Sequence, residues 1–454
     1  MNRESTPNDP WDDRSKPPRQ TRFGNWMIVV AIFLALTAIG CGNKPGYKIL
    51  FESSLKLGAG DGVNPARNIW RVNTNGTDLK PLTNLVSIGA DCTEPQPAPD
   101  GTQIIFVSAR SLDGSDARNL NGTLNIWRMT GDGNGLMPLT RATARDAHSL
   151  QPRWSQNGSK IVFHSRLSLD GADAAHPTYN VWRVNADGTG LAPLTHFGDL
   201  GSLESFSPEW SPDGTAIIFH SSRFLDGGNT NASNIFRVNA DGSSLEQLTH
   251  SSATVICWFY QCFLSPHVNI WSLRWSPLGD QIAFWSNQDL GRDFSYAITA
   301  IELMNVAGST PPSGFIFRNT FDGAYVSGRS PQWSPDGSTL VFHSALGLDG
   351  TESPNQNHTR NIWRMNADGS YESGLTALTR NTAMGADNQD PHWSPEGRKI
   401  VFVSSRKLDG TDVAVPDAPS NIWQINSDGS GLAPLTRANT TLANSFNPRY
   451  QRSH

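Results

Sequence analysis

The chain has 454 residues, of which 37% are hydrophobic and 17% are charged. This length suits one large repeat architecture or two to three ordinary domains, and the composition excludes a disordered polyelectrolyte. The formal net charge is −5, and no long basic run follows residue 47. Because phosphate binding needs clustered Lys and Arg, we expect no nucleic-acid partner.

Residues 1–41 predict a secretory signal. Several basic residues precede residues 26–40, an uncharged apolar run that is shorter than the ~20 residues of a membrane-spanning helix. A basic stretch before a short apolar core is typical of an export signal. The run ends in A-I-G-C, which resembles a bacterial lipobox and implies that Cys41 becomes the lipidated first residue of the mature protein. An uncleaved signal anchor is the alternative.

The expected product is an exported, lipid-anchored protein of the cell envelope, on the periplasmic or outer-membrane side. Residues 42–46 would be a short linker, and residues 47–454 one folded domain. Cys257 and Cys262 stand close together in C-W-F-Y-Q-C, which predicts a local disulfide in an oxidising compartment. Cys92 is interpreted as a small buried hydrophobic residue.

One motif, N-I-W-R-V-N-A-D-G, recurs along the chain. Its aromatic residue stands at Trp70, Trp127, Trp182, Phe236, Trp363 and Trp423. The longest interval between successive copies is about two periods, so a further unit is hidden inside it. Residues 300–305 fit that unit, with Glu302 in the aromatic position, which makes seven units.

A second motif, P-x-W-S-P-D-G followed by I-x-F-x-S, also occurs seven times, out of phase with the first. Pro97 and Tyr450 replace its Trp in the first and last copies. Each unit predicts four short antiparallel strands, the pattern of a propeller blade, so we predict an all-β fold with seven blades. The phase offset predicts that the strand around Tyr450 becomes the innermost strand of the blade that begins at Tyr47. This pairing would close the ring and leave no open blade edge.

The combined pattern W-S-P-D-G, I-x-F-x-S, N-I-W-R-V-N-A-D-G and P-L-T resembles the repeat of the TolB-like (WD40-like) β-propeller family. The resemblance covers residues 47–452 and implies an envelope protein. The chain departs from TolB itself, which has six blades and a separate α/β domain before its propeller. Related propellers precede α/β-hydrolase domains in some peptidases, but this chain contains no G-x-S-x-G nucleophile elbow.

Loops with an Asp-Gly signature recur between the second and third strands of the units, and we expect them to surround one mouth of the central channel. Two interpretations are open. The Asp can hold the loop as an Asx turn. Alternatively, D-G-x-D presents two carboxylates to Ca²⁺, which takes about 6–8 oxygen ligands, with backbone carbonyls completing the set. The candidate ligands are Asp113, Asp116, Asp170, Asp173, Asp349, Glu352, Asp409 and Asp412.

The x residue of P-x-W lies on the innermost strand of each predicted blade, where it either pairs across blades or faces the channel. These residues are Gln96, Arg153, Glu209, Arg274, Gln332, His392 and Arg449. His164, His220 and His343 share one strand position that is valine in two other units. We therefore interpret these histidines as packing between blades rather than as metal ligands.

The fifth unit carries an apolar insertion at residues 251–267. Four of its aromatic residues form the candidate partner contact: Trp258, Phe259, Tyr260 and Phe263. Exposed Trp and Tyr suit a protein or membrane-surface contact, and folding of the insertion over the degraded blade is the alternative.

Two functional hypotheses follow. The first is a non-enzymatic binding or scaffold protein that presents a loop-rich face to an envelope protein or glycan. We expect it to be monomeric, because a closed ring needs no second copy. The second is a metal-assisted polysaccharide lyase or hydrolase with its site at the channel mouth, where an enzyme should bring His, Arg and carboxylates together in a cavity. No cofactor is predicted apart from the candidate Ca²⁺.

Overall fold

The computed structural model describes residues 46–453 apart from several segments. These are 59–61, 199–203, 223–232, 251–254, 259–260, 265–269, 287–299, 307–314, 319–328, 350–354, 356, 369–373, 412–418 and 441. The described chain forms seven four-stranded antiparallel sheets and one two-stranded sheet. The predicted seven-bladed, all-β propeller is confirmed. Within these residues, no helix has the length and apolar character to cross a membrane.

The seven four-stranded sheets are the blades, which follow one another in chain order. Blade 1 has β1 (Tyr47–Leu55), β2 (Val63–Asn73) and β3 (Lys80–Pro81). Blade 2 has β4 (Cys92–Pro97), β5 (Gln103–Ser108), β6 (Asn125–Thr130) and β7 (Met137–Pro138). Blade 3 has β8 (Ser149–Trp154), β9 (Lys160–Leu167), β10 (Ala175–Asn185) and β11 (Ala192–Pro193). Blade 4 has β12 (Ser205–Trp210), β13 (Ala216–Ser221), β14 (Asn234–Asn239) and β15 (Glu246–Gln247).

A two-stranded hairpin precedes the fifth blade. Its strands are β16 (Val255–Trp258) and β17 (Gln261–Leu264). Blade 5 has β18 (Ile270–Trp275), β19 (Gln281–Ser286), β20 (Ala300–Asn305) and β21 (Phe315–Arg318). Blade 6 has β22 (Arg329–Trp333), β23 (Thr339–Ser344), β24 (Asn361–Asn366) and β25 (Thr376–Ala377). Blade 7 has β26 (Asn388–Trp393), β27 (Lys399–Ser404), β28 (Asn421–Asn426) and β29 (Ala433–Pro434), and β30 (Ser445–Arg452) follows it.

The strand register explains the two aromatic motifs. In blade 2 the Phe of I-x-F-x-S pairs with the Trp of N-I-W, as Phe106 with Trp127, and the same register recurs in the other blades. In blade 5 Phe284 pairs with Glu302, which confirms residues 300–305 as the degraded unit. Glu302 is buried and accepts a hydrogen bond from Ser286 Oγ, so a polar contact stands where the other blades pack an aromatic ring.

The second strand of each blade is buried on both faces, because neighbouring blades cover both sides. This is why β5, with the sequence Q-I-I-F-V-S, is apolar almost throughout rather than alternating. Each hydrophobic cluster accordingly spans two blades, as where Leu50 and Ile69 of blade 1 meet Phe106 and Trp127 of blade 2. The core therefore consists of the interfaces between blades, each worth about 25 cal/mol per Å² of apolar area removed from water.

The ring is closed by pairing of the two ends of the described chain. Strand β30 forms the innermost strand of blade 1, antiparallel to β1, with Ile49 opposite Tyr450. The Ser53 hydroxyl also donates to the carbonyl of Asn444, 2.9 Å away. The predicted closure is confirmed, and no blade is left with an unpaired innermost edge among the described strands.

The Asn and Thr of the repeat form a buried lock within each blade. In blade 2 the Thr140 hydroxyl donates to Asn125 Oδ1 over 2.9 Å and accepts the Ile126 amide over 2.9 Å. The Ala142 amide also donates to Asn125 Oδ1, over 2.9 Å. The same contacts recur at Asn180 with Thr195. These residues recur in the sequence because they satisfy backbone groups that water cannot reach.

The Arg of N-I-W-R joins neighbouring blades. Arg71 Nη1 donates to the carbonyl of Gly131 in the next blade over 2.7 Å, and Arg183 and Arg364 make the equivalent 2.7 Å bonds. In each case the acceptor lies in the N-A-D-G turn between the third and outermost strands. The motif therefore serves packing and blade-to-blade contact rather than ligand binding.

Candidate functional site

The seven x residues of P-x-W line one cavity in the central channel. Its volume is about 510 Å³. The seven are Gln96, Arg153, Glu209, Arg274, Gln332, His392 and Arg449. Of the two expected arrangements, facing the channel holds for all seven. Pairing across blades occurs as well, since Arg274 Nη1 lies 3.1 Å from Glu209 Oε2 of the neighbouring blade.

The cavity opens at the end of the channel where each innermost strand turns into the second strand. The turn residues that line it are Gln156, Ser211, Pro212, Pro277, Pro335 and Pro395. We call this opening the W-S-P mouth. The Asp-Gly loops connect the other ends of the second strands and so belong to the opposite end of the channel, which we call the decorated end. Loop length in the sequence pointed to the decorated end, whereas the larger cavity lies at the W-S-P mouth.

The Trp of P-x-W fixes the backbone of the x residue in the preceding blade. Trp154 Nε1 donates to the carbonyl of Gln96 over 3.1 Å, and Trp210 Nε1 donates to that of Arg153 over 3.2 Å. Trp333 makes the equivalent 3.1 Å bond to Arg274. Two functions therefore sit on one strand, because one motif residue holds the ring while its neighbour faces the channel.

A second ring of polar residues lies two positions before the x residues, and the sequence motifs did not indicate it. Its members have left-handed backbone conformations, with φ between 50° and 55°. They are Glu94, Gln151, Ser207, Ser272, Ser330, Asp390 and Asn447. A non-glycine residue costs about 1–2 kcal/mol in this conformation. The register of each innermost strand is irregular here, as between Thr93 and Gln96, so the strained position coincides with a bulge.

Hydrogen bonds between blades hold this second ring. The Gln151 amide donates to Glu94 Oε2 over 2.9 Å, and the Ser207 hydroxyl donates to Gln151 Oε1 over 2.8 Å. The Glu94 amide donates to Glu52 Oε2 over 3.1 Å, and Asn447 Nδ2 donates to Glu52 Oε1 over 2.8 Å. These bonds use backbone groups that the bulge removes from the strand pairing.

A smaller chamber of about 150 Å³ lies between the two rings. Its wall includes Glu94 and Asp390 of the second ring and three arginines of the first. Those three arginines, Arg153, Arg274 and Arg449, line both cavities and so separate the chamber from the W-S-P mouth. The carboxylates lie on the chamber side, and the larger cavity is flanked by the arginines.

Burial and mutual repulsion shift the titration of the arginines. Burial, followed by the charge of Arg274, lowers the pKa of Arg153, which Glu209 and Glu94 partly offset. Burial, followed by Arg153 and Arg274, lowers the pKa of Arg449. On the chamber side, burial raises the pKa of Glu94 against the attraction of Arg153. The three cations therefore stand in a setting that opposes their charge.

His392 is the one imidazole of the first ring. Burial, and then the charge of Arg449, lowers its pKa to about 3, so the ring is neutral at neutral pH. Its Nδ1 lies 3.0 Å from the carbonyl oxygen of Trp393. Because a carbonyl oxygen only accepts, Nδ1 carries the proton, and Nε2 keeps a lone pair.

The Asp-Gly loops form Asx turns, which confirms the first interpretation at three of them. Asp113, Asp170 and Asp409 each accept the amide two residues further on, over 2.8–2.9 Å. The second acids do not join them. Asp116 accepts the Val86 amide over 3.0 Å, and Asp173 accepts the amides of the connection between blades 2 and 3.

Ca²⁺ binding by these loops stays a prediction. Asp349 lies in the equivalent turn of blade 6, whereas Glu352 and Asp412 fall outside the described residues. In the part of the chain that the structure describes, no three His, Cys, Asp or Glu side chains are grouped as metal ligands.

The strand histidines pack between blades, as predicted. His164 contacts the rings of Tyr179 and Phe206, with centroids 5.0 and 5.3 Å away. Burial lowers the pKa of His164 to about 3 and that of His220 to about 4. In blade 6 the Asp390 amide donates to His343 Nδ1 over 3.3 Å, so this imidazole supports a residue of the second ring.

The cysteines and the aromatic insertion are the remaining candidates. Cys92 is buried, as expected. Hairpin β16–β17 places Cys257 opposite Cys262, but its side chains lie outside the described part of the chain, so the disulfide stays a prediction. The contact proposed for Trp258 and Phe263 stays a prediction for the same reason. Phe259, Tyr260 and Cys41 also lie outside the described residues.

Comparison with known proteins identifies relatives of part of the chain. No protein-family model matches it. The uncharacterized protein Atu1656 of Agrobacterium fabrum is 28% identical over 215 residues, which are 46% of this chain and 60% of that protein. The uncharacterized peptidase YuxL of Bacillus subtilis is 31% identical over 137 residues, 30% of this chain and 18% of the peptidase. The matched region thus spans less than two thirds of either relative.

Solved structures resemble the chain in fold. The β-propeller domain of the Trilobed protease from Pyrococcus furiosus is 9% identical, with a TM-score of 0.51 over 86% of this chain and 99% of that domain. An oligogalacturonate lyase in complex with manganese is 13% identical, with a TM-score of 0.50 over 87% of each chain. TolB from Acinetobacter baumannii is 18% identical, with a TM-score of 0.42 over 76% of this chain and 66% of TolB. At such identities the likeness shows the propeller fold alone.

Proposed function

We propose that this chain is a non-enzymatic binding protein of the cell envelope that receives a protein or glycan partner at the W-S-P mouth. The supporting observation is the convergence of one polar side chain from each of seven blades on a single cavity of about 510 Å³. Ligand sites typically enclose about 300–1,000 Å³ and carry a few convergent polar groups. A channel with a purely structural role would need no such set of charged side chains.

The envelope location rests on the sequence. The apolar run before Cys41 is the pattern of an export signal, and its end resembles a lipobox. The closed ring leaves no blade edge that a second copy must cover, which supports a monomer. The decorated end, with its Asp-Gly loops and the insertion around Trp258, is a second surface for a larger partner in this proposal.

Site-specific photocrosslinking tests which end of the propeller meets the partner. A photoreactive phenylalanine analogue would replace Gln156, which is exposed on the rim of the W-S-P mouth, or Leu120, which is 97% exposed at the decorated end. In envelopes of cells that make the protein, we expect a defined adduct from position 156. An adduct from position 120 alone, or from neither position, would contradict the proposal.

A metal-assisted polysaccharide lyase or hydrolase is the second candidate. It is favoured by one observation, because His392, three arginines and Glu209 meet in the same cavity. A neutral imidazole can accept a proton, and arginines can neutralise an acidic sugar. The test is incubation with an acidic polysaccharide, with and without added divalent cations, and detection of shortened chains. His392→Gln is the matched variant, since Gln96 and Gln332 occupy the same position in other blades. Absence of product in every condition would rule this candidate out.

A further inference from the structure

We infer that the floor of the W-S-P cavity is an anion site, in which Arg153 and Arg449 bind the carboxylate of a small polar ligand. The ligand would have the size of a sugar acid or of the last residues of a peptide. The inference deepens the proposed function and rests on it, since it assumes that the W-S-P mouth is where the ligand enters.

The charge of the first ring is not balanced. It contains three arginines and one carboxylate, Glu209, while its imidazole is neutral at neutral pH and its two glutamines carry no charge. Glu209 is already committed, because Oε2 accepts Arg274 Nη1 over 3.1 Å and Oε1 accepts the Trp275 amide over 3.3 Å. The ring therefore carries two positive charges more than it neutralises.

Arg153 and Arg449 are the two cations that this pairing leaves over. Each donates to the carbonyl of the proline before it, Arg153 Nη1 over 3.0 Å and Arg449 Nη1 over 2.9 Å. Among the described residues, no carboxylate forms an ion pair with either guanidinium. A guanidinium has five N–H donors, so most donors of both side chains remain available to the cavity that they line.

The protein environment disfavours these charges when the cavity holds only water. Both side chains lie deep in the channel, and the pKa of each is lowered by burial and by the neighbouring guanidiniums. Buried charges are normally paired, because an isolated one is costly to remove from water. A bound anion would supply the missing partner, and a planar carboxylate matches the fork of N–H groups that arginine presents.

The rest of the cavity indicates what carries the carboxylate. Gln96 and Gln332 offer amide donors and acceptors, and His392 offers the Nε2 lone pair. Such a lining suits hydroxyl or amide groups rather than an apolar chain. Prolines of the W-S-P turns, among them Pro277 and Pro335, form the outer wall, where the flat face of a sugar or a peptide unit can rest.

The test compares acidic probes with neutral ones of the same shape. Titration calorimetry would use glucuronate against glucose, and N-acetylglycine against N-acetylglycinamide, at low and high salt. We expect an acid to bind more tightly than its neutral counterpart, and less tightly at high salt. Whichever acid binds better identifies a sugar acid or a peptide end as the source of the carboxylate. Equal affinity of acidic and neutral probes, or binding by none, would overturn the inference.

The variants are chosen from residues that the ring already uses. Arg153→Gln and Arg449→Gln, singly and together, place glutamine where Gln96 and Gln332 stand in other blades. The double variant should lose affinity for the acid by about tenfold or more, since charge-assisted bonds are the strong ones. Arg398→Gln removes an exposed cation from a W-S-P turn outside the cavity and should leave affinity unchanged. Equal affinity of wild type and double variant would also overturn the inference.

Two further measurements separate the ways in which binding could fail. The double variant should melt no lower than the wild type, because it relieves repulsion between guanidiniums, so a loss of binding would not reflect unfolding. The crosslink from position 156 tests the proposed function independently. If that adduct forms while no acid is preferred, the binding function stands and the anion site is wrong. If the adduct also fails to form, both are wrong.

Discussion

Replacing Asn125 by alanine is expected to destabilise the propeller by about 3–5 kcal/mol, because the change leaves several buried polar groups without partners. Asn125 is fully buried. Its Oδ1 accepts the Thr140 hydroxyl and the Ala142 amide, both over 2.9 Å, and its Nδ2 donates to the Ala142 carbonyl over 3.0 Å. Each buried group that loses its partner costs about 1–3 kcal/mol, and the hydroxyl can partly compensate by rotating.

Urea denaturation followed by tryptophan fluorescence would measure the free energy of unfolding. Asn134→Ala is the matched control, since this exposed asparagine lies in the turn of the same blade and should change stability by less than about 0.5 kcal/mol. Thr140→Val removes the partner hydroxyl. Because Asn125 and Thr140 share one network, the double variant should cost less than the sum of the single ones, by about 0.5–3 kcal/mol. If Asn125→Ala cost no more than Asn134→Ala, the motif asparagine would not be a structural lock.

Three further predictions concern acid, cations and the membrane. Burial holds the pKa of His164 at about 3 and that of His220 at about 4, whereas the unfolded value is near 6.5. The unfolded state therefore takes up protons first, and stability should be lost as the pH falls from about 6.5 toward 4, by about 1.4 kcal/mol per pH unit for each histidine. His220→Val, the residue found at this position in blades 2 and 7, should make that slope shallower; an unchanged slope would contradict the burial argument. A chelator should lower the melting midpoint if the Asp-Gly loops bind Ca²⁺, and an unchanged midpoint would exclude a stabilising cation. Cys41→Ser should move the protein from the membrane fraction to the soluble fraction, and an unaltered distribution would contradict lipidation.

The repeat architecture could be predicted because it depends on residue types that alternate and recur. Glu302 was located in the degraded unit by counting alone, and the structure places it opposite Phe284, where the other blades have an aromatic residue. Ring closure through Tyr450 followed from the phase of two motifs in the same way. Periodicity transmits such information because every blade must present the same faces to its neighbours.

The second ring could not be found by the same route. Its members range from Glu94 to Ser272 and Asn447, so no shared residue type marks the left-handed backbone that unites them. The sequence offers only a polar residue before the motif proline, and polar residues occur on many strands simply because one face meets water. The position of the cavity was missed for a different reason. Loop length drew attention to the decorated end, whereas the width of a channel depends on how the blades are tilted and packed.

Ring closure also sets where the propeller can be tethered. Tyr47 pairs with Arg452, so both ends of the closed ring lie where the other blades have a W-S-P turn. Chain reach is at most about 3.3–3.6 Å per residue, so an anchor at Cys41 would hold Tyr47 within about 20 Å of the bilayer. The cavity would then open near the lipid surface, and its ligand would have to approach through the narrow space between propeller and membrane. A lipid-anchored form would thus sample molecules that are themselves confined to that layer.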